Sequence, residues 1–136
     1  MEKNDNSIAR KILTVIVITI LSIFIARDFY IKSEIKKSNK FTIAKFTLKK
    51  RLPKTTNFYF TYFINGEKTV TANSGVDYSI LNSEAETEII DNLKINHFYL
   101  ARYVPKDPDK IIVNPLKEVT DTVAILQAGF TKEDIK

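Results

Sequence analysis

The run ILTVIVITILSIFIA, from Ile12 to Ala26, contains fifteen residues and no charged side chain. Lys11 precedes it and Arg27 follows it. A helix needs about 20 apolar residues to cross the hydrocarbon of a bilayer, so the run alone is short. Long cationic side chains can extend a span, because their stems stay in lipid while their charges reach the interface. The sequence therefore predicts a transmembrane anchor over Ile8–Ile31.

Two alternatives to an anchor are weighed on the same residues. The core helix of a soluble domain should have a polar face, but the run contains only Thr14, Thr19 and Ser22, whose hydroxyls can bond the carbonyl four residues earlier. A cleaved signal peptide needs small residues at the third and first positions before the cut, and a cut after Ala26 would put the bulky Phe24 at the third. The pattern favours an uncleaved anchor and leaves cleavage open.

Charge is distributed unevenly about this anchor. From Arg27 to Lys54, ten Lys and Arg oppose two acidic residues, whereas from Thr55 to Lys136 eight oppose twelve. The balances are +8 and −4, and the residues up to Ala26 add +1, for the net charge of +5. Basic residues beside a membrane are attracted to anionic lipid by about 1 kcal/mol each. A solvated linker is the alternative, and the predicted lipid-surface residues are Lys32, Lys36, Lys37 and Lys40.

The same charges give conflicting signals about membrane orientation. Within about 20 residues of the span, three Lys and Arg precede it and six follow it, which alone would place the C-terminal domain in the cytoplasm. Arg10 and Lys11 directly abut the run, however, as they do in a signal anchor whose N-terminus is cytoplasmic. The orientation stays open at this point.

Domain organisation follows from the anchor. We predict a polar head at 1–7, the anchor at 8–31, a basic juxtamembrane segment at 32–40 and one β-rich globular domain at 41–136, which is an ordinary length for a single domain. Cysteine is absent, so neither a disulfide nor a cysteine-based metal site can form.

A β-hairpin is the clearest element of that domain. Every residue of Phe58–Ile64 is aromatic or β-branched, as strands favour. Asn65 and Gly66 follow, the preferred pair for a type I′ turn, and Glu67–Asn73 returns. This turn pairs Ile64 with Glu67, Tyr62 with Thr69 and Phe60 with Thr71 on one face, and Phe63 with Lys68, Thr61 with Val70 and Tyr59 with Ala72 on the other. Because both faces carry aromatic residues, we expect both to be at least partly covered.

The remaining elements are read from periodicity and from capping and turn residues. The predicted class is α+β: an N-terminal transmembrane helix, then a small, mostly antiparallel sheet or partly open barrel with one intervening and one C-terminal helix. Before the helix that follows the hairpin, we predict a strand at Phe41–Arg51 with a bulge near Ala44, a turn at Ser74–Asp77 and a short strand at Tyr78–Leu81. That helix begins with Ser83 and Glu86 and ends at Asn96, and it is followed by strands at His97–Val104 and Ile111–Val113, the second of which ends at Pro115. The C-terminal helix is marked by Leu116, Val119, Val123 and Leu126 and ends at Gly129, and a capped turn follows at Thr131–Asp134 with Phe130 packed against the domain.

Several of these motifs occur together in a known pattern. They are Tyr59-Phe60-Thr61-Tyr62-Phe63 with Asn65-Gly66, then Tyr99-Leu100-Ala101-Arg102-Tyr103 with Pro105-Lys106-Asp107-Pro108, and Gly129-Phe130-Thr131. Over roughly Lys40–Thr131 the chain resembles small bacterial membrane-anchored or exported proteins with a β-rich domain of unknown function. The segment before His97 is longer and more helical than in that group. The resemblance implies an anchored or exported β-domain, usually outside the cytoplasm, and it implies no activity. This opposes the count of flanking charges, and we predict an extracytoplasmic domain narrowly over a cytoplasmic one.

No residue pattern indicates catalysis. His97 is the only histidine, and no motif supplies the orienting partner that a general base needs. Glu84 and Glu88 are spaced to share a helix face, but acidic residues are common in a first helical turn because the dipole favours them there. Phosphate-binding and zinc-binding spacings are absent. We therefore predict no enzyme, no catalytic residue, no metal and no cofactor.

The predicted function is protein–protein interaction by an accessory or scaffold subunit of a membrane assembly, with membrane lipids and other membrane-associated proteins as partners. One alternative is a ligand-binding site around His97 and Tyr99. Another is lipid-surface or nucleic-acid binding by the basic residues of Lys32–Lys54. For nucleic acid, Lys45, Lys49, Lys50, Arg51 and Lys54 adjoin a strand expected to expose Tyr59, Phe60 and Tyr62, although the anchor and the acidic distal half disfavour this alternative. The candidate contact residues are the hairpin aromatics Phe58, Tyr59, Phe60, Tyr62 and Phe63.

Overall fold

The computed structural model describes residues 2–71, 75–76 and 82–136. The chain divides into two compact units between Glu34 and Ile35. The predicted turn at Ser74–Asp77 lies outside the described residues except for Gly75 and Val76, and the predicted strand at Tyr78–Leu81 lies wholly outside them.

The N-terminal element is one continuous helix, α1, from Glu2 to Lys37. Its 33-residue segment Asp5–Lys37 is long and apolar enough to cross a membrane, with a helical length of about 50 Å. Its large apolar side chains from Ile8 to Ile25 are exposed, so α1 is not the core helix of a soluble domain. This length and composition suit a membrane anchor, and they also suit a signal sequence.

The three hydroxyl side chains of the apolar run in α1 are satisfied within the helix. The hydroxyls of Thr14, Thr19 and Ser22 each donate to the carbonyl four residues earlier at 2.8 Å. These bonds, which the sequence predicts, remove the cost of placing an unpaired hydroxyl in hydrocarbon.

The second unit is built on an open five-stranded antiparallel sheet. The strand order is β3-β2-β1-β4-β5, which confirms the α+β class and shows an open sheet in place of a barrel. The strands are β1 (Lys40–Arg51), β2 (Thr56–Ile64), β3 (Glu67–Val70), β4 (Phe98–Tyr103) and β5 (Ile111–Glu118), and the helices are α2 (Glu84–Asp91), α3 (Thr122–Gln127) and α4 (Lys132–Ile135).

The β2–β3 hairpin has the predicted turn and register. Asn65 and Gly66 have φ angles of 52° and 79°, as both central residues of a type I′ turn require. Ile64 pairs with Glu67, and the predicted pairs Phe63–Lys68, Tyr62–Thr69 and Thr61–Val70 follow. Thr71 continues the pairing, because its N–H donates to the Phe60 carbonyl at 3.0 Å. The predicted partner of Tyr59, Ala72, lies outside the described residues.

Both faces of the sheet carry cores. On the α2 face, apolar side chains of all the strands except β3 pack against Ile90 and Leu93, which lie on and just after α2. On the opposite face, here called the C-terminal face, Ile43 and Phe98 pack against Ile125 of α3 and against Phe130. The sheet is thus the middle layer, and its central strand β1 is buried on both sides.

The bulge in β1 lies three residues later than predicted. The register with β2 shifts between Phe46 and Leu48, which leaves Thr47 as the extra residue. The prediction near Ala44 was wrong because it interpreted adjacent apolar residues as a change of phase. Ile43 and Ala44 are both buried, on opposite faces, and a strand covered on both sides needs no bulge for that.

Helix ends were predicted with mixed success. Ser83 and Glu86 form the predicted capping box, but α2 ends at Asp91 with Asn92 as its C-cap, before the predicted Asn96. Asn96 has a φ of 66° in the turn that leads to β4. Gly129 has a φ of 114° after α3, as predicted for a C′ glycine. The Thr131 capping box of α4 is also present.

The largest local error concerns Pro115, which was expected to close a strand. β5 continues through it to Glu118, so Leu116 and Val119 are not part of the C-terminal helix, which begins at Thr122 after the N-cap Asp121. Because β5 is an edge strand, a residue without an N–H is tolerated there. The register with β4 also shifts, so that residues 114–117 stand opposite a single residue of β4.

Candidate functional site

Three of the five predicted contact residues belong to the core. Phe58, Phe60 and Tyr62 alternate along β2 and have 0% relative exposure. Phe46 packs on two of them, with ring centroids 5.1 Å from Phe60 and 6.1 Å from Phe58. A side chain without accessible surface cannot contact a partner in this fold, so the assignment of these three residues to a contact surface is corrected.

Tyr62 shows how completely this row is enclosed. Its hydroxyl donates to the Pro108 carbonyl at 2.9 Å, which satisfies the only polar atom of the side chain. Burial raises the pKa of Tyr62 well above its usual value, and the nearby Asp109 carboxylate adds to the effect. The Tyr62 ring therefore joins the sheet to the turn between β4 and β5.

Phe63 lies on the C-terminal face but beneath a cover. Its ring meets Phe130 edge to face at a centroid distance of 5.0 Å, and Phe130 meets Phe98 in the same manner at 5.0 Å. A Cβ atom on Gly129 would lie 2.8 Å from the Phe63 ring, so the chain can pass this close only with glycine. The segment from α3 to α4 thus occupies the surface that Phe63 was expected to offer.

Tyr59 is the predicted contact residue that adjoins an uncovered surface. It is half-buried on the C-terminal face, where Leu48 stands directly opposite it on β1. Val70 on β3 stands opposite Thr61 and is therefore the diagonal neighbour of Tyr59. Leu48 is 49% exposed and Val70 54% exposed. We call Leu48, Tyr59 and Val70 the edge patch.

A second open surface lies at the other end of the same face. The shifted register of β5 leaves a groove of about 420 Å³ between the end of α1, the start of β1 and strands β4 and β5. We call it the basic groove, because among the described residues three cations and no acidic residue line it. Its lining residues are Lys36, Phe41, Leu100, Ala101, Arg102, Ile112, Val113, Asn114, Pro115 and Lys117.

Arg102 is held in place within the basic groove. Its Nη1 donates to the Lys36 carbonyl at 2.5 Å. Its guanidinium also lies over the Phe41 ring, 5.3 Å from the centroid, and such cation–π contacts favour a fixed orientation of the plane. Arg102 therefore joins β4 to Lys36, within the predicted juxtamembrane segment, and to Phe41, the residue that follows that segment.

The four predicted lipid-surface lysines are all exposed, although they differ in their surroundings. Lys32 forms an ion pair with Asp28 at 3.3 Å on the surface of α1. Lys36 lines the basic groove. Lys37 ends α1 and Lys40 begins β1. Of these four lysines, Lys36 is therefore the one that lines a cavity together with other cations of the domain.

His97 has a partner that the sequence did not reveal. Its Nδ1 lies 2.5 Å from a carboxylate oxygen of Glu118, and this hydrogen bond lowers the pKa of Glu118. The other proposed ligand-binding residue, Tyr99, is buried in the α2-face core. Its hydroxyl accepts from the Lys94 N–H at 3.0 Å, and burial raises its pKa. His97 and Tyr99 thus do not form a common site.

Several other charged residues have partners within the domain. Asp91 of the acidic helix α2 pairs with Lys49 at 2.8 Å, and Lys45 donates to the Asp134 carbonyl at 2.8 Å. The nucleic-acid alternative needed these lysines beside stacking rings, but Phe60 is enclosed, as is Tyr62. Among the described residues, no three acidic or histidine side chains cluster as metal ligands would.

The basic groove is not apparent from the sequence because its cations come from distant parts of the chain. Lys36, Arg102 and Lys117 are carried by α1, β4 and β5. The one local signal was Arg102 itself, a cation between Ala101 and Tyr103 in an otherwise apolar strand.

Comparison of the chain with protein-family models, with curated proteins and with solved structures finds no match. Its function is therefore inferred from its own residues and their geometry.

Proposed function

We propose that this chain is a single-pass membrane protein whose α+β domain binds another membrane-associated protein, as an accessory or scaffold subunit. Two features support the proposal. The apolar side chains of α1 need a non-aqueous surrounding, and a bilayer supplies one. The domain also offers uncovered apolar surface at Leu48 and Val70.

The edge patch is the observation that carries the interaction. The middle of the sheet is covered by α2 on one face and by the α3–α4 segment on the other, yet Leu48 and Val70 remain about half exposed around Tyr59. Adjacent apolar side chains left open on a sheet face are typical of interaction sites. We propose that the partner covers this patch, beside the edge strand β3.

The test is recovery of a partner from native membranes by full-length protein that carries Leu48→Ser and Val70→Ser together. We expect the complex to be lost while thermal unfolding stays close to that of the wild type, because both side chains are already largely in contact with water. Leu116→Ser is the matched control: Leu116 is 73% exposed and lies near α2, on the other side of the sheet. Retention of the partner by the double variant would refute the assignment.

For orientation we propose an extracytoplasmic domain, since Arg10 and Lys11 abut the apolar run on its N-terminal side. A reporter fused after Lys136 and assayed on both sides of the bilayer tests this placement. Activity on the cytoplasmic side would reverse the orientation, and it would leave the partner surface unchanged. Resistance of the full-length chain to alkaline extraction of membranes tests the anchor itself.

A further inference from the structure

We infer that the basic groove binds the phosphate headgroup of an anionic phospholipid from the bilayer that holds the anchor. This inference depends on the anchor in the proposed function but not on the edge patch. The two surfaces lie at opposite ends of the C-terminal face, one beside β3 and the other between β4 and β5.

The cations of the basic groove have the chemistry that a phosphate needs. Lys36, Arg102 and Lys117 come from three different elements, and no acidic residue in the part of the chain that the structure describes lines the cavity. A guanidinium carries five N–H donors in a planar fork that matches phosphate oxygens. The bond to the Lys36 carbonyl uses one of the Arg102 donors, and stacking on Phe41 holds the plane. The fork is therefore oriented before a ligand arrives.

The wall of the groove suits a lipid more than a free anion. Phe41 is 47% exposed at its edge, and Leu100, Ile112 and Pro115 are half-buried around it. An inorganic phosphate would leave this apolar surface wet. The glycerol and upper acyl carbons of a phospholipid would cover it while the phosphate meets the cations.

The charge distribution of the domain also sets this groove apart. Residues 55–136 carry a net charge of −4, yet two of their eight cations, Arg102 and Lys117, lie in this one cavity with Lys36. The shifted register around Pro115 brings Lys117 there. An anion is thus attracted to this groove against the acidic background of the rest of the domain.

The length of the tether favours lipid over an acidic peptide as the occupant. Lys36 follows Ile31, the last residue of the predicted span, by five residues, and five residues reach at most about 18 Å even when fully extended. The headgroup layer of each leaflet is about 5–8 Å thick. This chain length keeps Lys36 within about 18 Å of the end of the span, close to headgroups at high local concentration, whereas an acidic partner would have to be supplied from elsewhere.

The experiment uses the full-length chain in phosphatidylcholine nanodiscs with and without phosphatidylglycerol, and short-chain phosphatidylglycerol titrated in neutral detergent. Bound lipid is counted by native mass spectrometry and contacts are followed by NMR. We expect retention of phosphatidylglycerol over phosphatidylcholine, with an affinity that falls as salt rises. Arg102→Gln should weaken binding at least tenfold, and Arg102→Lys should fall between because it keeps the charge and loses the fork.

Lys68→Gln is the matched control, because it removes one positive charge on β3 at the opposite edge of the sheet. Equal affinity of Arg102→Gln and Lys68→Gln for phosphatidylglycerol would overturn the inference. If inorganic phosphate displaces bound phosphatidylglycerol as well as short-chain phosphatidylglycerol does, the ligand is a free anion. If an acidic peptide displaces it better, the ligand is a protein partner. Either result would also overturn the inference. If Arg102→Gln unfolds, Lys117→Gln decides by the same criterion.

This test is separable from that of the proposed function. Leu48→Ser with Val70→Ser should bind phosphatidylglycerol as the wild type does, and Arg102→Gln should keep the protein partner. If the wild type shows no preference for phosphatidylglycerol but keeps its protein partner, the groove assignment is rejected and the edge patch stays intact.

Discussion

Removal of the Phe130 ring tests whether the C-terminal segment is packed on the sheet as described. Phe130 is 4% exposed and meets Phe63 and Phe98 edge to face. A Phe→Ala change in a core costs about 3–5 kcal/mol of unfolding free energy, and this figure already includes the two aromatic contacts. Total domain stability is typically about 5–15 kcal/mol, so Phe130→Ala should remove a substantial share of it.

The expected thermal shift is large enough to measure without ambiguity. A domain of about 100 residues loses about 4–8 °C in Tm for each kcal/mol, so Phe130→Ala should lower Tm by at least about 12 °C. The assay is thermal unfolding of full-length protein in detergent, followed by the near-ultraviolet circular dichroism of the tyrosines. Hydrogen exchange should show the amides of α3 and α4 losing protection before those of β1.

The control is Val123→Ala on α3, where the side chain is 61% exposed and the expected cost is within about 0.5 kcal/mol. A Phe130→Ala protein that unfolds within about 1 kcal/mol of the wild type would refute the packing. The α3–α4 segment would then not be a cover of the C-terminal face, and the edge patch would be larger than described.

Three further predictions concern single groups. Burial raises the pKa of Tyr62, so the stabilising contribution of the neutral Tyr62 side chain is present below about pH 10 and is lost as pH rises above that value. Tyr62→Phe should therefore unfold at a higher pH than the wild type in an alkaline titration. An unchanged midpoint would contradict this. The pKa of Glu118 is lowered by His97, so its contribution is lost as pH falls below about 4.5; Glu118→Gln should show weaker acid destabilisation, and an acid titration matching the wild type would count against the pair. Asp121→Ala should cost about 1 kcal/mol in denaturant unfolding, since its carboxylate accepts from the Val123 N–H at 2.9 Å; an equal loss in Asp121→Asn would show that the cap is not responsible.

Elements that depend on neighbouring residues were predictable from the sequence. The turn at Asn65-Gly66 fixes its φ angles locally, and the register of β2 and β3 follows from it. The capping box of Ser83 and Glu86 spans one helical turn, and the positive φ of Gly129 needs only the end of the preceding helix. Each of these features is encoded within a few residues, so no knowledge of the rest of the fold was required.

Features that depend on distant residues could not be predicted in this way. The aromatic row of β2 indicated that both faces were occupied, but the sequence could not show that α2 and its neighbours enclose Phe60 and Tyr62. Pro115 reads as a strand end until β5 is known to lie at a sheet edge. The basic groove depends on that same irregular strand, which brings Lys117 to a cavity also lined by Lys36.

The position of β1 in the strand order has a mechanical consequence. Its first residue, Lys40, follows α1 by three residues, and β1 is bonded to β4 from Lys40 to Lys45 and to β2 from Ala44 to Arg51. A pull transmitted through the anchor would therefore load two hydrogen-bonded ladders in shear, whereas a tether joined to an edge strand would open one ladder bond by bond. Under the proposed function, attachment at the central strand would suit the chain to carry tension between a membrane and a partner bound to its domain.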